Sequence, residues 1–222
     1  MRNARAPIAS EGFTYIGVLA LFAWTAAILD FTLLSIILAA LAVVCVFFFR
    51  DPERDINSDA DSVVSPADGT VIMVDEAYER DFLSAQVKRV SITLALYDCH
   101  INRMPVGGRV TGSKYTPGSF NIANMPGWLY PDSMKKASEE NERRSTLIET
   151  PGGQKFVVYQ MAGFLARRIV SYAELGMEFK KGDRYGMIKF GSRVDLYMPE
   201  ECVVEVRAGD KVIAGETVIA WV

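Results

Sequence analysis

The apolar residues fall into two regimes. From Phe13 to Phe49 the chain is almost unbroken hydrophobic sequence with one charge, Asp30. As a single helix rising about 1.5 Å per residue, that stretch would be roughly 55 Å long, far beyond a hydrocarbon core of about 30 Å. Division at Asp30 gives two runs, Phe13–Leu29 and Phe31–Phe49, each near the minimum for a span. Asp30 then occupies a turn near the far interface, where its charge is cheap. Arg2 and Arg5 precede the pair and Arg50 and Arg54 follow it. Positive charge at both ends puts both ends in the cytoplasm, as a hairpin requires. No Gly or Pro marks the turn, so a re-entrant hairpin stays open. A cleaved signal peptide fits less well, because the run is too long and no small-residue cleavage site closes it. The expectation is a helical membrane anchor over 1–50, a charged, Pro-broken linker over 51–61, and a folded domain over 62–222.

Beyond the linker the period changes to two, the signature of strands. Val63-Val64 leads into the turn Ser65-Pro-Ala-Asp-Gly69 and a strand over Thr70–Asp75. Val87–Tyr97 alternates most clearly, with Val90, Ile92, Leu94 and Leu96 on one face. Arg109–Tyr115, Thr146–Thr150 and Lys155–Met161 follow as strands, the last two joined by the hairpin signal Pro151-Gly-Gly153. Residues 117–134 mix Pro and Gly with Phe120, Ile122, Met125, Trp128, Leu129 and Tyr130. This reads as a long irregular loop, either folded onto the core or forming a lip for lipid or substrate. Ala137–Arg144 reads as one or two polar helical turns. Near the C-terminus, Gly186–Pro199 contains two alternating runs joined at Gly191-Ser192.

The fold class expected from this pattern is mainly β, a sandwich or barrel-like domain behind a hydrophobic helical hairpin. A weak internal repeat sharpens it. Lys180-Lys-Gly-Asp-Arg-Tyr-Gly186 resembles Arg207-Ala-Gly-Asp-Lys-Val-Ile-Ala-Gly215, and such turns occur in biotinyl/lipoyl-like β-sandwiches. No exposed Lys at a Met-Lys-Met or Asp-Lys-Ala tip accompanies them, which argues against a carrier role.

Composition then removes several classes of function. The balance of 24 Lys+Arg against 27 Asp+Glu gives no electrostatic footprint for nucleic acid. Three scattered cysteines, Cys45, Cys99 and Cys202, fit a reducing compartment rather than a disulfide framework. His100 is the only histidine, so a multi-histidine metal site within one chain is excluded. Any step that needs an imidazole must use it.

Three residues carry candidate chemistry. Asp68 lies in a Pro-Ala-Asp-Gly turn, His100 follows a strand, and Ser192 follows a glycine. Singly they read as a turn aspartate, a core histidine and a strand junction. Together they supply an acid, a base and a hydroxyl, the parts of a relay that activates a nucleophile. Two alternatives remain at this level: a non-enzymatic membrane-tethered β-sandwich for binding or assembly, and a serine hydrolase using Ser192. The second lacks a Gly-x-Ser-x-Gly elbow.

The segments Ser65-Pro-Ala-Asp-Gly69, Tyr97-Asp-Cys-His-Ile-Asn-Arg-Met-Pro105, Asn141-Glu-Arg143 and Phe190-Gly-Ser-Arg-Val-Asp195 occur in an order that resembles the phosphatidylserine decarboxylase family, in its short bacterial and archaeal form. The resemblance covers about residues 50–222. It implies a proenzyme that cuts itself between Gly191 and Ser192 into a β chain, 1–191, and an α chain, 192–222. Ser192 would attack the Gly191 carbonyl, and the resulting ester would eliminate to leave a pyruvoyl group at position 192. That group, a covalent built-in cofactor, would form a Schiff base with the amine of phosphatidylserine and release carbon dioxide to give phosphatidylethanolamine. His100, oriented by Asp68, is the candidate base and proton donor. The implied partners are a membrane phospholipid, the chain's own two fragments and a second copy of itself; the implied location is the inner membrane, with the catalytic domain facing the cytoplasm. Two positions depart from the longer bacterial forms. Arg103 stands where those have a second histidine, and Arg193 where they have Thr.

Overall fold

The computed structural model describes residues 7–119, 141–163, 168–189 and 192–222. The chain divides into two compact units, Met1–Glu53 and Arg54–Val222.

In the first unit, helix α1 spans Ser10–Ile28 and α2 spans Thr32–Phe48. The break between them falls at Asp30, whose φ of 61° is left-handed. Aspartate is among the few residues that tolerate this conformation, because its short polar side chain can bond locally. A bridge between Ile8 and Arg50 brings the two ends back together, and Tyr15 stacks on Phe49 with ring centroids 5.5 Å apart. Hydroxyls within the helices are satisfied internally: Thr25 Oγ1 donates to the Leu21 carbonyl and Ser35 Oγ to the Ala23 carbonyl, both at 2.9 Å. Leu21, Phe22, Trp24, Leu33 and Val43 are exposed. Helix α1 is long and apolar enough to cross a membrane; α2 is more apolar but shorter, at 17 residues.

The second unit is built of strands β1 (Ser62–Val64), β2 (Gly69–Glu79), β3 (Ala85–Leu94), β4 (Ile101–Arg103), β5 (Gly108–Thr116), β6 (Arg143–Glu149), β7 (Lys155–Ala162), β8 (Arg168–Ser171), β9 (Glu178–Phe179), β10 (Arg184–Lys189), β11 (Ser192–Met198), β12 (Val203–Val204), β13 (Lys211–Val212) and β14 (Val218–Trp221). Among the described residues they form an eight-stranded sheet in the order β13-β2-β3-β11-β7-β6-β5-β9 and two three-stranded sheets, β4-β10-β8 and β1-β14-β12. The sheets stay open, so of the two expected forms the closed barrel is not the one realised.

Period-two alternation places the core. Val90, Ile92 and Leu94 of β3, Val158 and Ala162 of β7, and Val194, Leu196 and Met198 of β11 share one buried cluster with Tyr185 and Ile188 of β10. The opposite face of the large sheet carries a smaller cluster containing Val157, Tyr159, Met161 and Tyr197. Strand β10 breaks the alternation, since Met187 and Ile188 are both fully buried, so both of its faces are covered.

The repeat read in the sequence is a repeated turn. Lys180 N–H donates to the Asp183 carboxylate and Arg207 N–H to the Asp210 carboxylate, each at 2.8 Å. In both turns the Asp N–H closes back on the first carbonyl at 3.1 Å. Gly182 and Gly209 take φ of 81° and 102°, which only glycine adopts without strain.

Three expectations shift. The strand expected over Val87–Tyr97 ends at Leu94, where Ala95 N–H turns to the Asp98 carboxylate at 2.8 Å. The helical turns expected over 137–144 are not helical where described. Asn141 bridges Ser119, and Arg143 and Arg144 open β6, because Asn141 Nδ2 and the Glu142 carbonyl bind the backbone of Ala162. Residues 120–140, including Trp128 and Tyr130 of the expected lip, lie outside the described residues.

Candidate active site

Ser192 opens β11, and its backbone pairs with Leu94 of β3 on one side and Ala162 of β7 on the other. The strand before it, β10, ends at Lys189 and belongs to a different sheet. Lys189 and Ser192 therefore belong to strands of two different sheets. Gly191 itself lies outside the described residues.

His100 is fully buried at the entry to β4, and its carbonyl accepts the Ile188 N–H of β10 at 3.3 Å. It thus flanks the strand that leads into the step. Its Nδ1 lies 2.9 Å from the Asp98 carbonyl oxygen. A carbonyl only accepts, so Nδ1 carries the proton, and in the neutral ring Nε2 keeps the lone pair. That is the tautomer a general base needs.

Asp68 is buried, and both its oxygens are engaged. Oδ2 pairs with Arg54 Nη2 at 2.6 Å, and Oδ1 accepts Ala214 N–H at 2.8 Å. Burial pushes its carboxyl above the ordinary carboxylate range. The N–H groups of Ala214 and Cys99 and the charge of Arg54 oppose that rise, and the charge of Asp98 adds to it. Asp68 therefore lies near the backbone of Cys99, the residue before His100, while the imidazole Nδ1 bonds to the Asp98 carbonyl.

Asn141-Glu-Arg143 comes to the same place. Asn141 Nδ2 donates to the Ala162 carbonyl at 2.8 Å, and Ala162 N–H donates to the Glu142 carbonyl at 2.9 Å. Ala162 is the cross-strand partner of Ser192. Arg103 turns elsewhere: its Nη1 donates to the Gly182 carbonyl at 2.9 Å.

Two further groups escape the sequence reading. Arg193, fully buried, forms a bidentate pair with Asp195 at 2.6 and 2.9 Å and donates to Ser91 Oγ at 3.0 Å on β3. Gln160 Nε2 donates to Asn102 Oδ1 at 2.8 Å, both side chains fully buried. The available signal was a polar residue inside an apolar run, as in Phe156-Val-Val-Tyr-Gln160-Met-Ala. Among the described residues no cluster of three or more His, Cys, Asp or Glu could hold a metal ion.

The arrangement places a buried imidazole beside β10, the strand that precedes Ser192 in the chain. The family model for phosphatidylserine decarboxylase matches residues 41–220. A phosphatidylserine decarboxylase proenzyme of Symbiobacterium thermophilum is 42% identical over 220 residues, covering 99% of this chain and 98% of the relative. One of Geobacter metallireducens is 40% identical over 224 residues with the same coverage. A third, of Syntrophotalea carbinolica, is 35% identical over 221 residues, covering 100% and 99%. With a family model spanning most of its length and full-length relatives at this identity, the chain belongs to the phosphatidylserine decarboxylase family.

Proposed function

We propose that this chain is a proenzyme that cuts itself at Gly191–Ser192 and then decarboxylates phosphatidylserine to phosphatidylethanolamine. The observation that carries the reading is that β10, ending at Lys189, and β11, starting at Ser192, lie in different sheets, with His100 held against β10. A peptide bond between two such strands can be cut while each keeps its own ladder. In the cut, His100 Nε2 takes the Ser192 hydroxyl proton, and the oxygen attacks the Gly191 carbonyl carbon. The amide C–N bond breaks as the ester forms. Elimination then breaks the ester C–O bond, releasing the Gly191 carboxylate and leaving dehydroalanine at 192. Its tautomer takes up water and loses ammonia, which leaves a ketone.

The pyruvoyl group so formed supplies an electron sink for loss of carbon dioxide. The chain's own residues would do the rest. β3 and β7 hold position 192 from both sides, so the reacting group sits on a rigid element. His100 returns a proton to the substrate carbon after carbon dioxide leaves. Asp68 fixes the Cys99–His100 backbone, with Arg54 neutralising it. Helices α1 and α2 form the anchor over 1–50 and hold the catalytic part, 62–222, on the cytoplasmic side of the inner membrane, where the lipid is.

Denaturing mass spectrometry tests the reading. The wild-type chain should yield a 192–222 fragment without a free amino terminus, and Ser192→Ala should remain whole. His100→Ala should slow the cut or the turnover by about 100-fold or more. A wild-type chain that stays intact, or a Ser192→Ala chain that still splits, overturns the proposal.

A further inference from the structure

The amide pair Asn102–Gln160 has no part in the chemistry above, yet it sits where the two sheets meet at the scissile step. Asn102 lies on β4, two residues past His100, and pairs with Gly186 of β10. Gln160 lies on β7 and pairs with Val194 of β11, the next position on that face from the Ala162–Ser192 pair. Their hydrogen bond, 2.8 Å long, therefore links the sheet that holds the strand before the step to the sheet that holds the strand after it. Gly186 leaves the room for it: a Cβ there would lie 2.8 Å from Gln160 Nε2.

Both side chains are fully buried, and each keeps a polar atom without a partner, Asn102 Nδ2 and Gln160 Oε1. Two amides sharing one hydrogen bond always leave one NH2 group and one carbonyl oxygen without a partner in the pair, whichever of them donates. Burying such atoms unpaired is costly, and a core this well packed has no reason to retain them for stability alone.

We propose that Asn102 and Gln160 form a clamp that holds the strands flanking Gly191–Ser192 in register through the cut, and that the spare donor and acceptor receive the polar atoms of the reacting group. The proposal rests on the cleavage reading. The clamp residues are positioning residues for the strands, and the spare amide donor offers a neutral hydrogen bond to oxygen as negative charge develops on it.

The full-length chain in vesicles tests this, with fragment formation followed by mass spectrometry, turnover of vesicle phosphatidylserine, and the melting temperature. Asn102→Leu and Gln160→Leu should each slow the cut by about tenfold or more, and the double variant should lose less than the product of the two, since the shared hydrogen bond is lost only once. Asn102→Asp keeps an acceptor for Gln160 but loses the spare donor when ionised. Burial raises the pKa of the introduced carboxyl, and its protonated form regains a donor. The rate of this variant relative to wild type should therefore be low at about pH 8 and rise towards about pH 5. A wild-type pH profile in Asn102→Asp overturns the proposal. So does a double-variant loss equal to the product of the single losses, or slowing that merely follows the fall in melting temperature. If the leucine variants do not fold, Gln160→Glu and Asn102→Asp, both near-isosteric, carry the test through the same pH profile. A wild-type chain that never cuts defeats the cleavage reading beneath the clamp; a wild type that cuts, with variants that cut equally well, defeats the clamp alone.

Discussion

Asp81 sits in the β2–β3 hairpin with its side chain 1% exposed, and accepts from Lys114 Nζ at 2.7 Å, Ser145 Oγ at 2.5 Å and Arg143 Nε at 3.3 Å. Burial alone would raise its carboxyl. The hydrogen bonds from Lys114, Ser145 and Arg143 and the Arg143 charge outweigh that and hold it well below the usual range. A carboxyl depressed in the fold stabilises the protein above its unfolded pKa of about 4, and the contribution is lost as pH falls towards the folded value. Asp81→Asn should cost about 2 kcal/mol or more at neutral pH, because it strands Arg143. It should also flatten the decline in stability below about pH 4, as read by denaturant unfolding across pH. At this scale residue types were legible and their partners were not. Asp68, His100 and Ser192 stood out as an acid, a lone histidine and a hydroxyl after glycine. That the imidazole Nδ1 bonds to the Asp98 carbonyl depends on the turn closed by Ala95 and Asp98, which no spacing encodes. Asn102 and Gln160 were hidden for a similar reason, because an amide in an apolar strand reads as an interruption until its partner from another sheet is known.

Individual elements were easier to read than their pairing. Alternation marked β3 and β11, and Pro151-Gly-Gly153 marked the β6–β7 hairpin, because these signals are local. That β10 and β11 lie in different sheets is set by their long-range partners, β4 and β8 for one, β3 and β7 for the other. The helical turns expected near 141–144 failed because tertiary pairing with β7 overrode a polar, helix-favouring composition. The repeated Gly-Asp turns allow an element-scale comparison. A Cβ at Gly209 would meet nothing within 4 Å, whereas one at Gly182 would lie 2.5 Å from Ile56 Cδ1. Gly209→Ala should therefore cost only the left-handed penalty of about 1–2 kcal/mol. Gly182→Ala should cost a further ~1–3 kcal/mol for overpacking. Paired melting curves check the order; equal losses would mean that Ile56 moves aside freely.

At the scale of the whole molecule, the chain divides at 53/54, a few residues past the end of the continuous hydrophobic run. The threading of the last segment could not be read from the sequence. After the proposed cut, 192–222 would supply β11, β12, β13 and β14. β11 lies between β3 and β7, β13 pairs with β2, and β14 pairs with β1. The short product is laced through two sheets, with Val194, Leu196, Met198 and Ile219 in the common core. Uncut Ser192→Ala should refold from denaturant at a rate independent of protein concentration. The processed protein should refold slowly and only in proportion to concentration, because its two chains must find each other.

With the proposed cut, that lacing would give the protein a history. The sequence that directs folding would be continuous only before the cut, so the mature molecule would inherit a shape it could no longer reach unaided at high dilution. Its lifetime would then be governed by the barrier to unfolding rather than by the free energy of the folded state. A copy that opened fully in the cell would lose its short chain to dilution or proteolysis, and only new synthesis would replace it.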